Sequence, residues 1–179
     1  TRSGIKRYQQ LAEELRESVD RVNDRFATET WKPVILQMRT YSPQEVRQYY
    51  AMADSALVTP LHDGMNLVAK EYVAACEDGD GTLVLSVFAG AAQELHGALL
   101  VNPYDIQQVA DAIFRAVHMP LAERRARMQG MREQIASSSI YDWSESLLKD
   151  LRDLRRASSR LWPQRLPAAG VKPREALPQ

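Results

Sequence analysis

Short apolar runs alternate with helix-like segments along most of this chain, and that alternation constrains its fold more than any other feature. The apolar runs cover residues 33–38, 55–59, 82–86 and 98–101. Runs of this length with helices between them are typical of parallel βαβ units, in which the strands are buried on both faces. The sequence therefore predicts an α/β protein built on a parallel sheet.

Apolar side chains that recur every three or four residues predict helices around these strands. The predicted helices span residues 5–28, 43–53, 66–77, 106–117, 120–136 and 142–159. Pro43 at a first helical position and Asp105 at an N-cap position mark two of the starts. Residues 161–179 contain four prolines and little periodicity. We expect them to form an extended or disordered tail.

Composition narrows the class of protein. The chain has 179 residues, 45% of them hydrophobic, which is enough for one domain with a core. Lys plus Arg and Asp plus Glu both total 23, a balance that argues against a nucleic-acid partner. No apolar run approaches the roughly 18 residues of a membrane span. The lone Cys76 excludes an internal disulfide and a cysteine metal cluster. We expect a cytoplasmic protein, and a chain opening at Thr1 suggests part of a longer protein.

The segment that joins the run 55–59 to the next helix is the candidate ligand site. Asp63 and Gly64 lie in a polar loop, and Asn66 begins a helix. The amides of a helix N-terminus lack intrahelical partners, and together with the helix dipole they attract anions and polar hydroxyls. Gly64 lets a ligand approach the backbone closely, and Glu71 lies a little over one helical turn past Asn66.

A second interpretation of the same segment is purely structural. Asn66 can serve only as an N-cap and Asp63 only as a turn former. In favour of a site, ligands of parallel α/β sheets bind at the carboxyl ends of the strands, where this loop lies. The residues alone leave both interpretations open.

Residues 59–74 read T-P-L-H-D-G-M-N-L-V-A-K-E-Y-V-A and resemble the donor-sugar loop of glycosyltransferase family 20, the trehalose-6-phosphate synthase family. The similarity continues through L-V-L-S-V-F-A-G-A-A-Q-E-L and A-L-L-V-N-P-Y-D, and covers about residues 1–151. It implies a Rossmann-like, doubly wound parallel sheet, the C-terminal half of a two-domain GT-B glycosyltransferase. Residues 1–151 would then form the nucleotide-sugar-binding domain with the start of its returning C-terminal helix.

The resemblance also implies roles for individual residues. The donor-binding set is Asp63, Gly64, Met65, Asn66, Leu67, Val68 and Glu71. In this set Asp63 is the catalytic residue and accepts hydrogen bonds from hexose hydroxyls, whereas the amides of Gly64 to Val68 hold hydroxyls and the diphosphate. Glu71 binds the ribose hydroxyls. Arg2 falls where the family places an arginine on the acceptor phosphate, a ligand that its guanidinium fork suits.

The implied reaction transfers a hexosyl group from a UDP or GDP sugar to a sugar 6-phosphate with retained configuration. It needs neither a cofactor nor a metal, because two basic residues and the helix N-terminus stabilise the leaving diphosphate. Those basic residues and the acceptor-side residues precede Thr1 in the family pattern. We therefore expect the N-terminal domain of the same protein to be the main partner and this chain alone to be inactive; a homo-oligomer also fits.

One position departs from the usual family pattern. His62 stands where the synthases usually have Arg, either as a tolerated surface substitution or as part of an altered substrate pocket. Relatives with changed substrates include the glucosylglycerol-phosphate synthases and the pseudo-glycosyltransferase of the validamycin pathway, which joins a GDP-linked cyclitol to an aminocyclitol phosphate. A non-catalytic regulatory subunit is the alternative from another class.

The remaining candidate residues give weaker indications of function. His96 and His118 have no partner at metal-ligand spacing, so we predict no metal site. Residues 88–92 are small apart from Phe88, and either meet the nucleotide base or allow close packing against the sheet.

Overall fold

The computed structural model describes residues 6–137 and 140–161 and contains two compact units, Thr1–Val46 and Arg47–Gln179. In the first unit, helix α1 spans Lys6–Phe26. Asn23 lies in the last turn of this helix. Its side-chain nitrogen donates to the Val34 carbonyl at 3.0 Å, and its side-chain oxygen accepts from the Val34 amide at 3.1 Å. The predicted strand over residues 33–38 is wrong. This segment is a loop that joins no ladder among the described residues, and Ile35 is 75% exposed.

The second unit follows the predicted alternation closely. Helix α2, Pro43–Met52, begins just before it. The remaining elements are β1 (Ser55–Val58), α3 (Leu67–Ala75), β2 (Thr82–Ser86), the short 3₁₀ helix Gly90–Gln93, β3 (Leu99–Val101), α4 (Ile106–His118), α5 (Leu121–Ser137) and α6 (Ile140–Leu161).

Local capping groups explain where several helices begin. Ser42 and Glu45 form a reciprocal cap at the start of α2: the Glu45 amide donates to Ser42 Oγ and the Ser42 amide donates to Glu45 Oε2. Asp105 caps α4 by accepting from the Gln108 amide at 3.0 Å. These starts were predictable because a cap and its amide are neighbours in the sequence.

The three strands form one parallel sheet in the order β1-β2-β3. Every residue of β2 is buried. On the edge strands, Leu57 of β1 and Leu100 of β3 are nearly half exposed, so the predicted burial on both faces holds only for the central strand.

Helices cover both faces of the sheet. Leu83 and Leu85 of β2 pack in a core cluster with residues of α3 and α5, whereas Val84 belongs to a second cluster with residues of α4. Residues 83 to 85 therefore alternate between the two cores, as a strand buried on both faces requires.

The C-terminal helix extends further than the sequence predicts. Helix α6 ends at Leu161, the first residue of the predicted tail, and residues 162–179 lie outside the described part of the chain. The division into a domain over 1–151 and a tail stays a prediction. Within residues 6–137 and 140–161, no helix combines the length and apolar character of a membrane span.

Candidate functional site

The turn after β1 is organised by the carboxylate of Asp63. Its Oδ1 accepts hydrogen bonds from the amides of Met65 and Asn66, at 3.1 and 2.9 Å, and its Oδ2 accepts one from the Asn66 side-chain amide at 3.0 Å. The Met65 amide contributes most to lowering the pKa of Asp63 below the ordinary value of 3.8, with Asn66 adding to it. Asp63 therefore stays ionised at neutral pH.

Asn66 begins α3 in a left-handed conformation, with φ 65° and ψ 82°. Its side-chain oxygen accepts from the Ala69 amide at 2.9 Å, and its side chain is buried. This geometry confirms the structural role of Asn66 as the N-cap and of Asp63 as a turn former. Both residues thus fix the direction in which the first turn of α3 points.

Four of the five amides that were predicted to bind the donor, those of residues 65 to 68, fall into two groups. Those of Met65 and Asn66 already donate to Asp63, so a ligand hydroxyl at these amides would compete with the protein's own carboxylate. Leu67 and Val68 occupy the first turn of α3, where amides have no intrahelical acceptor, and both residues are about half exposed. We infer that the amides of Leu67 and Val68 are the better anion donors, since the third amide of the turn, that of Ala69, already donates to Asn66.

Gly64 lies on the open side of the turn. A Cβ built on it would meet no atom within 4 Å among the described residues, and its φ is not positive. Packing and backbone strain therefore do not explain a glycine at this position. Close approach of a ligand, the reason given from the sequence, remains the prediction that accounts for it.

The loop after β2 is hydrogen-bonded to the turn at Asp63 through three backbone contacts. The Asp63 amide donates to the Phe88 carbonyl at 3.1 Å, and the Gly90 amide donates to the Asp63 carbonyl at 2.8 Å. The Ala91 amide donates to the Met65 carbonyl, also at 2.8 Å. A Cβ on Gly90 would collide with the carbonyl oxygen of Gly64. The small residues here allow close packing, as one of the two interpretations proposed, but the packing is against the turn.

Two charged side chains of α3 complete the site. Lys70 Nζ contacts both carboxylate oxygens of Glu94, at 2.9 and 2.8 Å, and ties α3 to the loop after β2. Glu71 is exposed and accepts a hydrogen bond from the hydroxyl of Tyr50 in α2, at 3.3 Å. Asp63 and Glu71 thus border the same helix N-terminus, as their spacing in the sequence predicts.

The remaining predicted residues are less informative. His62 is exposed beside Asp63, and its charge contributes slightly to the lowered pKa of that carboxylate. Arg2 lies outside the described residues. Within the described ranges, no group of three or more His, Cys, Asp and Glu side chains is placed to hold a metal ion. Metal independence of the reaction stays a prediction, because that observation concerns only part of the protein.

This arrangement has a definite chemical capacity. Outward-facing amides at a helix N-terminus bind an anion such as a diphosphate. A carboxylate has about four acceptor positions, and three hydrogen bonds already reach Asp63, so one position remains for a hydroxyl. The carboxylate of Glu71, a little over one helical turn past Asn66, offers acceptors to a second group of hydroxyls.

The sequence profile of glycosyltransferase family 20 matches residues 1–153. This chain therefore belongs to glycosyltransferase family 20. The match confirms the family that the D-G-M-N turn and its flanking motifs predicted.

Relatives and solved structures agree with the family assignment. A trehalose-6-phosphate synthase of Klebsiella pneumoniae is 44% identical over 164 residues, which is 90% of this chain and 35% of the relative. A UDP-forming α,α-trehalose-phosphate synthase from Burkholderia vietnamiensis is 48% identical with a TM-score of 0.78, over 89% of this chain and 35% of that one. A UDP-forming enzyme of the same kind from Burkholderia xenovorans, in complex with glucose-6-phosphate, is 44% identical with a TM-score of 0.79, over 85% and 34%.

These comparisons confirm the predicted α/β fold as that of the C-terminal half of a GT-B glycosyltransferase. The chain spans about a third of the length of the curated relatives it matches.

Sequence reasoning missed three contributors to the site. It gave no role to Tyr50, to the Lys70–Glu94 pair or to the contact of Gly90 with the turn. Each joins residues that are more than twenty positions apart, and a single sequence carries no signal for such pairs. The run of small residues around Gly90 was the one visible hint.

Proposed function

We propose that the whole protein, of which this chain is the donor-binding part, transfers a hexosyl group from a UDP-linked hexose to a sugar 6-phosphate. Trehalose-6-phosphate synthesis from UDP-glucose and glucose 6-phosphate is the reaction proposed. One observation carries it: the turn at Asp63 and the first turn of α3 lie in a chain that is 44% identical over 164 residues to a trehalose-6-phosphate synthase. UDP is favoured over GDP because relatives of this kind are UDP-forming.

In the proposed complex the diphosphate lies at the N-terminus of α3. The amides of Leu67 and Val68 donate to it, and the helix dipole favours its negative charge. The hexose lies over Gly64, where a Cβ would point into open space, and one hydroxyl uses the remaining acceptor position of Asp63. Glu71 accepts from the ribose hydroxyls.

The catalytic effect proposed for this part of the protein is electrostatic. Charge develops on the departing UDP, and donors already oriented toward it stabilise that charge without reorganisation. The acceptor attacks from the face that UDP leaves, so configuration is retained. The basic residues on the diphosphate and the acceptor pocket belong to the rest of the protein, and the reaction requires no metal.

The full-length protein should form a disaccharide phosphate from UDP-glucose and glucose 6-phosphate, and release UDP in equal amount. Mass spectrometry identifies the first product, and a coupled assay measures the second. GDP-glucose, and a GDP-linked cyclitol with an aminocyclitol phosphate, should react poorly. Turnover of the cyclitol pair in preference to the sugar pair would instead establish the validamycin-type activity and give His62 a role in the altered pocket.

Substitutions at Asp63 test the placement of the donor. Loss of a hydrogen bond to a charged group is worth about 1.5–3 kcal/mol, so Asp63→Ala should lower kcat/KM by about 10- to 100-fold. Asp63→Asn is the matched control, because it retains an oxygen for the Met65 and Asn66 amides but loses the charge. Full activity of Asp63→Ala would remove the donor assignment, and a wild-type protein without activity would favour the regulatory subunit.

Arg2 provides a separate test of the acceptor side. If its guanidinium holds the acceptor phosphate, Arg2→Ala should raise KM for glucose 6-phosphate and leave the Kd for UDP nearly unchanged. An equal loss for both ligands would contradict the assignment.

A further inference from the structure

Glu71, the carboxylate assigned to the ribose, does not stand alone on α3. The hydroxyl of Tyr50 lies 3.3 Å from its Oε2. No described hydrogen bond reaches its other carboxylate oxygen within residues 6–137 and 140–161. Tyr50 thus holds one side of an exposed carboxylate and leaves the other side for a ligand.

The ring of Tyr50 packs against the core beneath α3. It meets the ring of Tyr72 edge-on, with centroids 6.2 Å apart and an interplanar angle of 80°. Tyr72 is fully buried in the core cluster, and Tyr50 is partly buried against that cluster. The position of the Tyr50 hydroxyl is therefore set by the core under α3.

The proton of this hydrogen bond belongs to the tyrosine. Burial, and to a smaller extent the charge of Glu71, raises the pKa of Tyr50 above its ordinary value of 10.0. The hydroxyl is consequently a donor throughout the physiological pH range, and Glu71 is its acceptor. A second contact, Arg47 Nη2 to Glu77 Oε1 at 2.6 Å, joins α2 to the turn that follows α3.

We propose that Tyr50 is a positioning residue for donor binding: its hydroxyl fixes the Glu71 carboxylate in the orientation that accepts the ribose hydroxyls. An exposed glutamate otherwise loses rotamer freedom when it binds a ligand, and fixing it in advance removes part of that penalty. The proposal rests on the function proposed above, in which Glu71 contacts the ribose.

The experiment compares UDP with 2′-deoxy-UDP as ligands of the full-length protein, by titration calorimetry. The variants are Tyr50→Phe, which removes the hydroxyl and keeps the ring on Tyr72, Glu71→Gln, and both together. Tyr8→Phe on α1 is the matched control for loss of a tyrosine hydroxyl. Thermal melting of each variant separates a loss of fold from a loss of binding.

Tyr50→Phe should weaken UDP binding by about three- to tenfold, the size expected for one hydrogen bond to a carboxylate that is partly screened by solvent. It should also reduce the ratio of the affinity for UDP to the affinity for 2′-deoxy-UDP. Loss of a tyrosine with a purely structural role would leave this ratio unchanged. In the Glu71→Gln background the same substitution should have little further effect, and Tyr8→Phe should behave as wild type.

The outcomes distinguish the two levels of the argument. If Glu71→Gln weakens UDP and narrows the preference but Tyr50→Phe does neither, Glu71 keeps its ribose role and the positioning role of Tyr50 is wrong. If Tyr50→Phe weakens UDP and 2′-deoxy-UDP equally, the tyrosine is structural and the positioning role is again wrong. If Glu71→Gln changes neither affinity, the ribose assignment fails, and the role of Tyr50 fails with it.

Discussion

Replacing Gly90 by alanine should loosen the turn at Asp63, although Gly90 itself is not assigned to the ligand. A Cβ on Gly90 would overlap the carbonyl oxygen of Gly64 and lie 2.7 Å from its carbonyl carbon and 3.2 Å from Met65 Cα. These are backbone atoms, so no side chain can swing away to make room. The loop after β2 and the turn after β1 must separate.

The magnitude follows from what the separation disrupts. Overpacking a tight contact costs about 1–3 kcal/mol. Separation also weakens the bonds from the Gly90 amide to Asp63 and from the Ala91 amide to Met65, each with a net worth of about 0.5–1.5 kcal/mol. We therefore expect Gly90→Ala to lower the free energy of unfolding by about 2–4 kcal/mol and to weaken UDP binding.

Gly64→Ala is the matched control, because both substitutions add one methyl group within the same pair of loops. At Gly64 the methyl group points into open space and φ is not positive, so stability should change by less than about 0.5 kcal/mol. Donor-hexose binding should still fall, since the hexose is proposed to lie there.

Denaturant unfolding and UDP-glucose titration of both variants measure these effects. A Gly90→Ala protein as stable as wild type would refute the packing argument. A Gly64→Ala protein with normal donor affinity would refute the position given to the hexose.

Three further predictions concern charged groups at the two ends of α3 and on its surface. The side chains of Lys70 and Glu94 are about two-thirds buried. A double-mutant cycle with Lys70→Met and Glu94→Gln, measured by denaturant unfolding, should therefore give a coupling free energy of about 0.5–1 kcal/mol. Additive effects of the two substitutions would show that the pair does not stabilise the fold. Arg132 Nη1 donates to three carbonyls at the C-terminal end of α3, so Arg132→Met should destabilise by about 1–2 kcal/mol, measured in the same way, and Arg132→Lys should recover part of it. The pKa of Asp63 is lower in the folded than in the unfolded protein, so its carboxylate stabilises the fold above about pH 4, and this contribution is lost as the pH falls through the folded pKa. The difference in melting temperature between wild type and Asp63→Asn should therefore shrink below about pH 4. A difference that stays constant with pH would contradict the lowered pKa.

Elements that depend on near neighbours could be predicted from the sequence. The caps at Asn66 and Asp105 and the strands at 55–58 and 82–86 all follow from residues a few positions apart. The position of the candidate site at the carboxyl edge of the sheet followed as well, because parallel strands place all their carboxyl ends there.

Elements that depend on distant partners could not be predicted. Residues 33–38 have the composition of a buried strand, but a strand exists only where a neighbour pairs with its backbone, and none does among the described residues. The hydrogen bond of Tyr50 to Glu71 likewise joins positions that are 21 residues apart. The periodicity of the sequence predicts a helix at Tyr50 and nothing more. The neighbouring residues do not distinguish a tyrosine that only packs from one that donates to a carboxylate.

The internal bonds of Asp63 decide how the turn can receive a ligand. Three of the roughly four acceptor positions of the carboxylate are occupied by hydrogen bonds from its own turn, and these bonds hold the turn in one shape before a ligand binds. A turn of fixed shape loses little freedom on binding, and the amides of Leu67 and Val68 at the start of α3 have no intrahelical acceptor. The same bonds limit Asp63 to about one ligand hydroxyl. Recognition of the other hydroxyls must then come from the exposed amides, from Glu71 and from residues outside this chain, because the turn has no further carboxylate oxygen to offer.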